Sequence, residues 1–160
     1  MPGRVWIIIR PLPTGGPGLN LFKDKYPFFI EDNVEWGDMD AFQHVNNTMY
    51  FRYFERVRFA YFDKLGVTAE MESSGIGPIL ASTQCRFRSA LTYPDEILIG
   101  SGITGLQADR FLMKYGIYSK KDQCVAAEGD GFIIYFDYNK NLKADIPARL
   151  FDILQNSTGR

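Results

Sequence analysis

The sequence predicts an α+β fold, with a curved antiparallel five-stranded sheet wrapped around one long central helix. Three observations carry this. Residues 47–65 hold the one long helical signal in the chain. That helix is apolar around most of its circumference, which requires burial on more than one side. The segments before and after it are rich in aromatic and β-branched residues and are broken by short polar turns, so the material available to cover the helix is sheet.

Residues 26–36 read as the first strand, ending at Gly37, and a polar loop over residues 38–46 follows. Asn46 or Asn47 caps the helix, since a short amide side chain accepts from the exposed first-turn N–H groups. Lys64 in the last turn and Gly66 just beyond it stop the helix. Tyr50, Phe54, Val57, Tyr61 and Leu65 form one apolar stripe at helical spacing, and Phe51, Phe59, Ala60 and Phe62 widen it. Arg52, Glu55, Arg56, Arg58, Asp63 and Lys64 interrupt it.

Residues 78–90, 97–106, 111–119 and 123–137 read as the remaining strands. Along 111–119, Phe111, Met113, Tyr115 and Ile117 alternate with a partly polar set, as one buried face requires. Tyr93-Pro94-Asp95-Glu96, Gln107-Ala108-Asp109 and Lys120-Lys121-Asp122 are the turns between them. Turns this short imply antiparallel hairpins. Residues 147–154 suggest a brief terminal helix opened by Ile146-Pro147.

A chain of 160 residues fits one domain and can bury most of its apolar surface. Aromatics reach 15%, with 13 Phe and 9 Tyr, which favours a thick core or an apolar ligand channel. A formal charge of −1 provides no long-range field to hold a polyanion, so nucleic acid is not an expected partner. Cys85 and Cys124 lie inside strand-like runs and read as reduced core thiols of a cytoplasmic protein. No apolar run approaches the roughly 18 residues of a membrane span.

Residues 1–22 read as a disordered or loosely ordered leader, and residues 23–160 as the single domain. The apolar stretch Val5-Trp6-Ile7-Ile8-Ile9 is shorter than the roughly 7–15 residues of a secretory signal. Arg4, Arg10 and the lack of acids leave an organelle-targeting leader open, and the Gly/Pro density after Arg10 argues against it.

The densest cluster of chemically capable side chains runs from Asp38 to Asn47, DMDAFQHVNN, with two carboxylates, the only histidine and two asparagines. It stands directly before the buried helix. First-turn N–H groups have no internal partner, and the helix dipole adds partial positive charge there, so such an end can polarise a carbonyl. A carboxylate just upstream can then act as general base or nucleophile.

Asp38-Met39-Asp40, His44-Val45-Asn46-Asn47, Tyr50 and the aromatic helix through Glu55-Arg56 together resemble the hotdog-fold thioesterases. The similarity is greatest to the branch containing hydroxybenzoyl-CoA thioesterase and the short bacterial acyl-CoA thioesterases. Tyr93-Pro94-Asp95-Glu96 resembles the family's hairpin between its second and third strands. Ala127-Glu128-Gly129, the run to Asp137, and Ile146-Pro147 resemble its closing strand and terminal helix.

The resemblance implies hydrolysis of an acyl- or aryl-CoA thioester, with Asp40 as the catalytic carboxylate and the backbone N–H near Asn47 as the oxyanion donor. It implies a homodimer or dimer of dimers, no metal, and no organic cofactor beyond the substrate's CoA. Plant acyl-carrier-protein thioesterases of the same superfamily carry a similar His-Val-Asn-Asn, with Asp, Asn and His alternating. Here Asp40 and His44 keep that spacing while Phe42 replaces the Asn, which leaves His44 open between a role in rate and a role in holding the loop. Tyr50 and Phe54 are the candidates for the acyl pocket, and Arg110 and Lys114 for the CoA phosphates.

Simpler roles stand beside these. Asp38 reads as a loop-bracing acceptor, Asn46 and Asn47 as caps, and Arg86 and Arg88 as solvated charges on the outer face of their strand. There is no Gly-x-Ser-x-Gly elbow for a serine hydrolase. The rival from another class is a non-catalytic acyl-CoA- or lipid-binding hotdog module. A hotdog dehydratase is a third reading, for which the sequence has no His-x-Phe-Pro signature.

Overall fold

A computed structural model describes residues 18–158. Its elements are α1 (Gly18–Lys25), β1 (Phe28–Val34), a 3-10 turn (Trp36–Asp38), α2 (Asn47–Leu65), α3 (Val67–Ser74), β2 (Ile76–Phe87), β3 (Asp95–Gln107), β4 (Arg110–Ser119), β5 (Cys124–Asp137), the two-residue β6 (Leu142–Lys143) and α4 (Ala148–Ser157). The long strands form one antiparallel sheet in the order β1-β3-β4-β5-β2, with β6 added to the end of β5. α2 packs across one face of it. This is the hotdog arrangement the sequence implies.

Local chemistry sets the bounds of α2. The Asn46 side chain accepts the Thr48 N–H, and Gly66 ends the helix with φ of 80°, a conformation that costs glycine little. Tyr53, Phe54 and Val57 are fully buried against the alternating set Phe111, Met113, Tyr115 and Ile117 of β4. The expected alternation on that strand is the pattern observed.

Three features depart from the sequence reading. The segment Tyr93-Pro94-Asp95-Glu96 is not a hairpin between neighbours: β2 pairs with β5, and β3 with β1. A connection carries the chain from β2, at one edge of the sheet, back to β3, second from the other edge. A short helix, α3, fills residues to which the sequence reading assigns no element, held between two left-handed glycines, Gly66 and Gly75. Finally, the boundary drawn after residue 22 falls inside α1: residues 18–22 are helical and Phe22 is buried. Residues 1–17 of the expected leader lie outside the described residues.

α1 covers the convex face of the sheet, opposite α2. Phe22 and Tyr26 pack on Leu98 and Tyr118, with Phe29 and Val125 alongside. The Tyr26 ring lies directly on Gly100 and Gly116, where an added Cβ would come within 2.6 and 2.5 Å of it. Its hydroxyl donates to the Tyr115 carbonyl at 2.9 Å. Among the described residues no helix is long and apolar enough to cross a membrane.

Candidate active site

The Asp38–Asn47 loop is closed by its own backbone. Met39 and Val45 form an isolated bridge, the Asn46 N–H donates to the Asp38 carbonyl at 2.9 Å, and the Val45 N–H donates to Leu91. Inside that stem the Asp40 N–H donates to the His44 carbonyl and the Gln43 N–H to the Asp40 carbonyl, both at 2.9 Å. Gln43 takes the left-handed conformation, φ 62°, that a turn this tight requires.

The two carboxylates are separated by environment. Asp38 is buried; its Oδ2 accepts the Tyr53 hydroxyl at 2.7 Å and the Glu35 N–H at 2.9 Å, tying the loop to α2 and to the end of β1. This is the bracing role expected of it. Asp40 is half-buried: Oδ1 accepts the Phe42 N–H at 2.9 Å, and Oδ2 faces Asn46 Nδ2 at 3.4 Å.

The first turn of α2 is only partly satisfied. Asn46 takes up Thr48 N–H through its side chain and Met49 N–H through its carbonyl. The Asn47 N–H has no acceptor among the described residues. A half-buried carboxylate therefore stands beside an unengaged amide at the positive end of a 19-residue helix. Such a pair can polarise a carbonyl and deliver a base or nucleophile to it.

His44 is exposed, and its carbonyl rather than its imidazole closes the turn. Tyr50 and Phe54 sit in the core. The Tyr50 hydroxyl accepts the Leu91 N–H at 3.3 Å, its ring meets Phe87 edge-on, and Phe54 stacks on Tyr115 with centroids 4.8 Å apart. Within one chain Arg110 and Lys114 are not brought to the loop. Both lie on the convex-facing set of β4, where Arg110 pairs with Asp109 and Lys114 approaches Asp130 at 3.7 Å. Arg110 opens β4 at the end away from the loop, roughly 30 Å from Ser119 at about 3.4 Å per residue.

Sequence reasoning missed the exposed aromatics that flank Asp40: Trp36 and Phe42 are 72% and 83% exposed. It also missed the Tyr53–Asp38 bond, since a tyrosine in an apolar stripe does not announce where its hydroxyl goes. Cys85 lies near the Tyr50 hydroxyl, and burial pushes its thiol up to about 11, so it stays protonated at neutral pH and is no nucleophile.

Residues 34–154, from the end of β1 through most of α4, match the family model of the thioesterase-like superfamily. The chain is 26% identical over 137 residues to the chloroplastic acyl-acyl carrier protein thioesterase ATL3 of Arabidopsis thaliana, covering 85% of this chain and 69% of that one. It superposes on the 1,4-dihydroxy-2-naphthoyl-CoA thioesterase of Synechocystis with a TM-score of 0.72 at 16% identity, over 81% of this chain and 96% of the other. A Staphylococcus aureus protein in complex with CoA gives 0.75 at 13% identity, over 83% and 86%. At those identities the two structures show a common fold, and the family match extends it to sequence. The chain belongs to the thioesterase-like superfamily of thioester hydrolases.

Proposed function

We propose that the protein hydrolyses an acyl-CoA thioester to the free acid and CoA, with Asp40 as the catalytic carboxylate and the Asn47 N–H as the oxyanion donor. The observation that carries this is the pairing of a half-buried, oriented Asp40 with the open Asn47 N–H at the start of α2. Asp40 takes the proton of a water that attacks the carbonyl carbon, or attacks that carbon itself to give an anhydride that water then opens. In either route negative charge builds on the carbonyl oxygen, where the Asn47 N–H stabilises it, and the C–S bond breaks to release CoA.

The reading includes a homodimer. β2 is an edge strand with one side unpaired, and from Ile76 to Cys85 it carries no charged residue. Leu80 to Gln84 are exposed along it. The other edge, β1, holds Glu31 and Asp32, the kind of charge that blocks edge pairing. A twofold normal to the sheet would pair two β2 strands antiparallel, setting the Phe87 end of one beside the Pro78 end of its partner. The Asp40 loop lies at the Phe87 end through Tyr50 and Leu91, so the second chain would cover the exposed loop and its aromatics.

CoA release from a panel of acyl- and aryl-CoA thioesters, with an acyl-carrier-protein thioester included, tests the reading. Wild type turns over at least one class, and Asp40→Asn lowers kcat by at least about a hundredfold while remaining folded. Binding of several thioesters without turnover by wild type would replace the enzyme with a binding module.

A further inference from the structure

The face of α2 that starts at the open Asn47 N–H continues into a second feature. At 3.6 residues per turn, Asn47, Phe51, Phe54, Arg58 and Phe62 fall on one stripe. Arg58 is not a solvated interruption of the helix, as its charge suggests in sequence, but is buried at 8% exposure. Its Nη1 donates to the Tyr115 hydroxyl at 3.2 Å, and its guanidinium lies 5.8 Å from the Phe59 ring centroid. Burial raises the Tyr115 pKa, so that neighbour is a neutral phenol.

Among the described residues no carboxylate lies within 4.0 Å of Arg58. A guanidinium has five donors and is rarely buried unless paired with an anion. Here it forms part of the wall of a groove of about 510 Å3 between α2, α3 and β2, whose remaining lining is largely apolar: Phe59, Phe62, Val67, Met71, Leu80 and Ile133. Exposed Asp63 also borders the groove and accepts the Thr68 hydroxyl.

We propose that this groove holds the far end of the acyl group and that Arg58 selects acyl groups ending in a carboxylate. The inference rests on the thioesterase reading above and names its substrate class. Apolar walls suit a methylene chain, and the planar fork of N–H donors suits a terminal carboxylate. From Asn47 to Arg58 is roughly 16 Å along the helix at 1.5 Å per residue, and the arginine side chain leans back toward the N-terminus. That distance is the reach of an acyl chain of medium length.

The test compares decanoyl-CoA with its ω-carboxyl counterpart of equal length on wild type, Arg58→Met and Arg58→Lys, by steady-state kinetics. The same pair as non-hydrolysable thioethers is titrated by calorimetry. Wild type is expected to favour the ω-carboxyl substrate by roughly tenfold to a hundredfold in kcat/KM, the worth of one charge-assisted contact. Arg58→Met removes that preference through KM rather than kcat, and Arg58→Lys restores part of it. A wild-type preference for decanoyl-CoA, or an equal loss on both substrates in Arg58→Met, overturns the proposal. If no thioester is turned over, the thioesterase reading fails, while the thioether titrations still decide Arg58: tighter ω-carboxyl binding lost in the variants sustains its role, and equal binding removes it. If Arg58→Met loses its circular dichroism, Arg58→Lys carries the comparison, since it keeps the charge and loses the fork.

Discussion

Asn46 performs two tasks with one amide. Its oxygen caps α2 at Thr48 N–H, and its nitrogen faces Asp40. Asn46→Ala removes both, costing about 1 kcal/mol of stability and so roughly 3 °C in Tm, together with a fall in kcat. Asn46→Ser separates the two, because serine supplies a cap acceptor but cannot reach Asp40 as an amide does. Tm is expected to recover and kcat to stay low; recovery of kcat would show that Asp40 needs no help from this side chain. The cap was legible in the sequence because it acts within two residues. The burial of Arg58 was not, since an arginine among aromatics reads the same whether its head reaches solvent or Tyr115.

At the scale of elements, α2 was legible to the residue because its start, stop and apolar stripe are all local signals. α1 was not: its eight residues follow a Gly/Pro-rich stretch, and what holds it is contact with a sheet formed far along the chain. Phe22→Ala tests that account, with an expected loss of roughly 3 kcal/mol and roughly 10 °C in Tm from emptying a buried aromatic site. A thermal melt unchanged within a degree or so would mean that α1 rests on the sheet without stabilising it.

For the whole molecule, the proposed dimer rests on the free β2 edge. Ser82 lies near the middle of that strand, so Ser82→Lys would set two like charges near each other across a β2–β2 interface. Light scattering coupled to size-exclusion chromatography is expected to show wild type at the mass of two chains and the variant at one, with thioesterase activity falling in parallel. A variant that stays dimeric and active would move the interface elsewhere. The exposure of Trp36 and Phe42 belongs to this scale, since in the proposed dimer a second chain covers them.

The sequence by itself determined the α+β class, the bounds of α2, the alternating core face of β4 and the placement of Asp38 and Asp40 before a helix. These follow from cap chemistry and from the periods of 3.6 and 2 residues, which act over one or two turns of chain. Only the tertiary structure decided that β2 pairs with β5 rather than with β3, that Phe22 seats α1 on the convex face, and that Arg58 turns into an apolar groove with no carboxylate partner among the described residues. Those outcomes depend on which surfaces remain open once the sheet has closed over α2, and no short window of sequence contains both sides of such a contact.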